Sequence, residues 1–131
     1  MPRGWLNLCL LMALGLALPS RAEAQTLWNG YRNETRTPII LQFLKPEGQG
    51  VPIGPPVILY PNEVRWEAVG DASPRMMLVR QQGAVGQLPA RIVVNRPVGT
   101  DMLYVVRHVA APDGRTPVLQ VTRQPTQKPG R

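Results

Sequence analysis

His108 and the methionines are the residues whose types could bind a metal ion. His108 is the single histidine of the chain, and Met102 lies six positions before it. Thioether and imidazole ligands suit Cu(I), so Met102 and His108 form a candidate copper site. Met76 and Met77 are adjacent, so on a strand they point to opposite faces and at most one can join that site. The preferred interpretation has no metal and no cofactor, because core-filling methionines and one histidine beside a turn explain the same residues.

Catalytic side chains are scarce in the sequence. Ser73 is the one serine after residue 24, and its turn-like context Asp71–Pro74 contains no G-x-S-x-G motif. Glu63 and Glu67 share a strand face, but at about 3.3 Å per residue they would lie about 13 Å apart, too far for either class of glycosidase. We therefore predict that the protein has no catalytic residues and is not an enzyme.

Arginine dominates the positive charge. Of the 13 basic residues after residue 24, 11 are arginine, whose guanidinium group binds carboxylate and phosphate in a bidentate manner. An adhesion module for polyanions, such as anionic glycans, is therefore one alternative. The arginines are scattered, however, and no basic stripe alternates with aromatic residues, which argues against nucleic acid. Dispersed, solvated charge is the preferred interpretation.

The first 24 residues have the three parts of a secretory signal peptide. Met1–Arg3 is positively charged, Trp5–Leu18 is a mostly apolar run of 14 residues, and Ala22–Ala24 is a small-x-small triplet. A helix of that run would be about 21 Å long, shorter than the roughly 30 Å hydrocarbon core of a bilayer. We predict export to the periplasm or extracellular space, with cleavage between Ala24 and Gln25. Retention as an anchor is the alternative.

Cleavage at that point changes the composition of the working protein. It would leave 107 residues with 13 basic and 7 acidic side chains, a net charge of +6, and no cysteine, since Cys9 lies in the leader. A cysteine-free domain in an oxidising compartment has to be held by its core alone. One domain of this size buries roughly two thirds of its unfolded surface, which is enough for that.

The remaining sequence favours strands over helices. Thirteen of the 15 prolines lie after residue 24, and an interior proline costs a helix about 3 kcal/mol. Short alternating segments between turn signals predict seven or eight strands, at Leu27–Asn33, Thr37–Leu44, Pro56–Tyr60, Glu63–Val69, Arg75–Gln81, Arg91–Asn95, Asp101–Ala110 and Val118–Arg123. This pattern indicates an all-β fold, a small antiparallel β-sandwich of Ig-like or Greek-key type, over residues 25–123. Residues 124–131 are polar and are predicted to form a disordered tail.

The alternation also predicts where particular side chains lie. Phe43 and Trp66 each belong to the apolar face of a strand, so both are expected in the core. Asp101–Ala110 is apolar on both faces in its middle, as in a central strand that is covered on both sides. Leu27–Asn33 is a weak strand, and as an edge strand it could accept a strand from a partner.

These features together predict an exported, non-catalytic binding or interaction module of the cell envelope, periplasmic or secreted. Its partner would be an envelope or extracellular protein or glycan, and no transmembrane segment is predicted after the leader. A small-ligand or copper carrier that uses Met102 and His108 is one alternative. The polyanion-binding adhesion module is the other.

Overall fold

The computed structural model describes residues 26–46, 50–69, 74–84 and 86–130. Within these ranges the chain forms strands and turns and no helix. The strands are β1 (Trp28–Asn33), β2 (Ile39–Leu44), β3 (Val57–Leu59), β4 (Val64–Ala68), β5 (Arg75–Gln81), β6 (Ala90–Val94), β7 (Met102–Ala110) and β8 (Pro117–Pro125). The predicted leader, its cleavage site at Ala24 and Gln25, and Ser73 lie outside the described residues.

The strands form two sheets of four. Sheet A has the order β4-β1-β7-β8, and sheet B has the order β3-β2-β5-β6. All neighbouring strands are antiparallel except β1 and β7, which are parallel. A parallel pair needs a long crossover connection, and here the chain between β1 and β7 passes through sheet B. The prediction of an all-β, two-sheet, mostly antiparallel fold is confirmed.

Each predicted strand is present, with bounds that shift by at most two residues. The largest differences are at the start of β2 and at the end of β8. β8 continues to Pro125 and so enters the segment predicted to be disordered. Beyond it, Thr126 N donates to the Asp101 carbonyl oxygen at 3.0 Å, and Lys128 N donates to Asp101 Oδ2 at 2.8 Å. Composition did not reveal this contact, because it depends on backbone groups and a distant carboxylate.

The core lies between the inward faces of the two sheets. Its buried members are Tyr31, Ile39, Leu41, Phe43, Leu59, Met77, Val79, Val94, Tyr104 and Val106. Phe43 is among them, as the alternation predicted. β7 is interior and is buried on both faces, because Tyr104 and Val106 face the core while Leu103 and Val105 are buried on the outer side of sheet A. The prediction of a covered central strand is therefore confirmed.

Two positions differ from expectation. β1 is not an edge strand but lies between β4 and β7, so it has no free edge for a partner strand. Trp66 is outside the core: Arg65 pairs in register with Tyr31 and therefore shares its inward face, which places Trp66 on the outer face of sheet A. Alternation identifies which residues share a face, but it does not say which face points inward.

Candidate functional site

The structure does not bring Met102 and His108 together. Both lie on β7 and on the same face, with Tyr104 and Val106 between them. Six residues of extended strand separate two side chains by roughly 20 Å at about 3.3 Å per residue, far beyond what one copper ion can bridge. Met77 is buried in the core, as core filling predicts. In the ranges that the structure describes, no group of three or more His, Cys, Asp or Glu side chains could hold a metal ion.

Glu67, on β4, and Glu63, the residue just before β4, have separate partners. Glu63 pairs with Arg65 at 3.3 Å, whereas Glu67 pairs with Arg75 at 2.8 Å. Glu67 also accepts a hydrogen bond of 2.8 Å from the Tyr31 hydroxyl. The Arg75 guanidinium in turn lies 4.2 Å from the centre of the Phe43 ring. Glu67 is therefore part of a polar cluster that joins sheet A to sheet B, not half of a carboxylate pair.

The proton affinities of this cluster are strongly perturbed. Burial, followed by the charge and hydrogen bond of Glu67, raises the pKa of Tyr31 well above its ordinary value. Burial acts to lower the pKa of Arg75, but its hydrogen bond to Glu67 and the charges around it prevail, so the pKa of Arg75 is raised. Tyr31 therefore keeps its proton and Arg75 its charge throughout the neutral range. This arrangement suits a cross-link between the sheets.

Several arginines pair with nearby carboxylates. Arg32 and Arg107 both contact Glu34, in addition to the pairs of Arg65 and Arg75. Arg75 is largely buried, whereas the other three pairs are exposed and contribute little to stability, in the range of about 0–1 kcal/mol. Their effect here is to leave fewer arginines available to an external anion.

The outward-facing side of sheet B, called the sheet B face below, is apolar. Register pairs place nine side chains on it: Ile40, Gln42, Leu44, Ile58, Met76, Leu78, Arg80, Arg91 and Val93. Six of these nine are apolar, and Ile58 and Val93 are 38% and 42% exposed. An antiparallel sheet with one face on the core normally carries polar side chains on the other face. The two charged members are both cations, Arg80 and Arg91, and none of the nine carries a carboxylate.

A cavity of about 380 Å³ opens at one end of the sheet B face. Ile40 and Leu78 line it together with the polar Gln42 and Arg80, and the loop after β5 completes the wall with Ala84, Gly86, Gln87 and Pro89. Gly86 has a φ of 87°, a backbone conformation that favours glycine. The cavity can accept an apolar side chain while Arg80 binds a carboxylate beside it.

The sequence carried a partial signal for this surface. The middle of Arg75–Gln81 is apolar on both faces, and one of those faces lies in the core through Met77 and Val79. The other face, which carries Met76 and Leu78, points away from sheet A, and no third sheet of described residues covers it. Sequence reasoning missed the surface because it requires β2, β3, β5 and β6 to be placed side by side.

No family model matches this chain, and no curated protein or solved structure is significantly similar to it. Within the part of the chain that the structure describes, no helix has the length and apolar character needed to cross a membrane.

Proposed function

We propose that this protein is an exported, non-catalytic binding module of the cell envelope that holds a partner protein on the sheet B face. The observation that supports the proposal is the composition of that face, six apolar side chains with Arg80 and Arg91 as the charged members. Covering exposed apolar area is favourable by about 25 cal/mol per Å². An apolar sheet face that is left partly exposed in this way is typical of an interaction site.

The charges on this face select the chemistry of the partner. A second copy that packed face to face would bring two more arginines and no carboxylate to balance Arg80 and Arg91, and such an excess of like charge is unfavourable. A polyanionic glycan would satisfy the arginines but would leave Ile58 and Val93 uncovered. A protein segment with apolar side chains flanked by carboxylates satisfies both parts of the surface. The cavity beside Arg80 would hold its largest apolar side chain.

The proposal includes export and the finer fold class. The signal-peptide features of Met1–Ala24 support export, with Gln25 as the first residue of the mature chain. We place the fold among Ig-like Greek-key sandwiches. Support for this comes from the passage of the chain back and forth between two four-stranded sheets, with β1 paired to β7.

Site-specific photo-crosslinking tests this function in the cell that makes the protein. A benzophenone amino acid is placed at Val93 on the sheet B face, which is 42% exposed, and at Val64 as the matched control. Val64 is 38% exposed and lies on β4, on the outer face of sheet A. We expect one adduct of defined mass from position 93 and none from position 64. The adduct should disappear when Arg80→Glu is added.

The partner identified in that adduct is then purified and titrated against the full mature chain. We expect Arg80→Glu to weaken binding about tenfold, because the variant replaces an attraction by a repulsion. Equal adducts from both positions, or a purified partner whose affinity does not change with Arg80→Glu, would contradict the proposal.

A further inference from the structure

The four edge strands of the described sheets differ in how well they are protected. β3 has three residues and follows Pro55 and Pro56, and β6 has five residues between Pro89 and Pro97. β4 has five residues and carries charged side chains on its inward face. Short length, proline and inward charge all keep an edge strand from pairing with another chain. β8 has nine residues and has proline only at its two ends.

One side of the β8 backbone is free in the part of the chain that the structure describes. β8 pairs with β7 along its whole length, from Pro117 to Pro125. It is the last strand of sheet A, so no described strand pairs with its other side. The seven residues between the two prolines all retain their N–H groups, and Arg123 is the one charged residue among them.

The sandwich opens beside both ends of β8. A cleft of about 440 Å³ lies at its carboxyl end, lined by Asn95, Arg96, Pro97, Val98, Met102, Tyr104, Arg123 and Pro125. A smaller one of about 250 Å³ lies at its amino end, lined by Gly86, Gln87, Leu88, Thr116, Pro117, Val118 and Leu119. Leu88 and Val98, which are 92% and 88% exposed, stand at the two clefts. Apolar side chains of a bound segment would find apolar partners there.

The inward side chains of β8 define what such a segment should contain. Arg123 pairs in register with Tyr104, and Leu119 pairs with His108, so Arg123, Val121 and Leu119 share the inward face. Arg123 is exposed, and no carboxylate of the described residues contacts it. Side chains directly opposite one another on neighbouring strands interact. A carboxylate is therefore the fitting neighbour of Arg123, and aliphatic side chains are the fitting neighbours of Val121 and Leu119.

We propose that β8 binds an extended segment of a partner protein, which adds to sheet A as a fifth, antiparallel strand. The segment carries an acidic residue followed by aliphatic residues at the second and fourth positions after it, which places the carboxylate opposite Arg123. Backbone hydrogen bonds supply the affinity, and the alternate side chains supply the specificity. A second copy of β8 fits less well, because β8 contains no carboxylate to place opposite Arg123. This surface is built on strands of its own, so it can be tested apart from the sheet B face.

A fluorescein-labelled peptide, Ser-Glu-Thr-Val-Thr-Val-Ser with blocked ends, tests the proposal against the full mature chain by fluorescence anisotropy. We expect saturable binding, with amide chemical-shift changes concentrated in β8. Arg123→Glu should weaken binding about threefold to tenfold. A peptide in which lysine replaces glutamate should bind the Arg123→Glu chain better than the wild-type chain, a rescue that also shows that the variant is folded. Arg36→Glu, in the exposed bend between β1 and β2, is the matched control and should leave the affinity unchanged.

Three outcomes would overturn this assignment. The first is no binding of either peptide to either chain. The second is binding that does not respond to the exchange of charges, or shift changes that lie outside β8. The third is a concentration-dependent dimer, seen by sedimentation, that the peptide dissociates, because that would assign the β8 edge to a second copy of the chain.

Discussion

The indole ring of Trp66 lies directly against Gly30 on the outer face of sheet A. A Cβ atom built on Gly30 would lie 2.6 Å from Cζ3 of Trp66 and 2.9 Å from Cδ1 of Leu103. The three residues are in register on β4, β1 and β7. The absence of a side chain at Gly30 thus leaves room for the ring of Trp66, from the edge strand β4, to pack on the backbone of β1.

This contact makes Gly30→Ala a sensitive substitution. We expect it to lower the free energy of unfolding by about 1–3 kcal/mol, because the added methyl group must displace the ring or the backbone. Urea unfolding of the mature chain measures the effect. In the double variant Gly30→Ala/Trp66→Ala the clash with the ring is absent and only the contact with Leu103 is left, so the two changes should cost less together than the sum of the single losses. Additive losses would show that the ring does not limit this position.

Stability at alkaline pH should report on Tyr31. Its pKa is raised in the folded state, whereas in the unfolded chain it takes its ordinary value of about 10. The folded state therefore binds the proton more tightly, so stability is unaffected below about pH 10 and falls above it, by about 1.4 kcal/mol per pH unit for one proton. Tyr31→Phe should remove that part of the slope. It should also cost about 0.5–1.5 kcal/mol at neutral pH through the lost hydrogen bond to Glu67.

The experiment is urea unfolding between pH 8 and pH 11.5. Tyr60→Phe is the matched control, because it removes an exposed phenol instead of a buried one. If Tyr31→Phe and the wild type lose stability at the same rate above pH 10, Tyr31 does not hold its proton in the way its surroundings indicate.

The Asp101 carboxylate binds backbone N–H groups near the beginning and near the end of the described residues. The Asp101 side chain is buried, and it accepts hydrogen bonds of 2.8 Å from the backbone N–H groups of Trp28 and Lys128. Asp101→Asn keeps the shape but replaces one carboxylate oxygen by a donor. We expect a loss of about 1.5–3 kcal/mol, the contribution of a hydrogen bond to a charged group. In the variant, the exchange of the Trp28 and Lys128 amides with deuterium should speed up, relative to the wild type, more than the exchange of the β2 amides does.

A matched substitution separates this effect from a general loss of charge. Asp113 accepts a hydrogen bond from the Arg115 backbone in an exposed turn. Asp113→Asn should therefore leave both the unfolding free energy and the exchange of the Trp28 amide nearly unchanged. Equal effects of the two substitutions would mean that Asp101 does not hold the backbone at Trp28 and Lys128.

Export and processing give a further prediction. The mature protein recovered from its own cells should begin at Gln25, since Ala22–Ala24 is the small-x-small triplet that signal peptidase requires. Ala24→Arg should cause the precursor to accumulate, whereas Ala24→Gly, which keeps the residue small, should be processed. Intact-mass spectrometry distinguishes these products. An unprocessed wild-type chain would instead favour a retained anchor.

Local sequence was sufficient for the strands themselves. The alternation in Thr37–Leu44 correctly indicated that Phe43 is buried. Between β7 and β8, the residue types of Pro112–Gly114 favour a turn, and Gly114 N donates to the Ala111 carbonyl oxygen at 2.8 Å. Both depend on residues a few positions apart, whose side-chain directions and backbone preferences the sequence specifies directly. The structure keeps Met102 and His108 apart for a related reason, because residues on one face of a strand are close only when few residues separate them.

The sequence by itself determined that the chain makes short strands, that β7 is apolar on both faces, and that catalytic side chains are few. Only the tertiary structure decided that β1 is interior, that Trp66 faces outward over Gly30, and that β8 is the long free edge. It also decided that Asp101 reaches the Trp28 backbone, 73 residues away in sequence. The physical reason is that strand pairing is made by backbone hydrogen bonds, which every residue type except proline can form. Alternation therefore fixes which side chains share a face, and only the assembled sheets decide what that face meets.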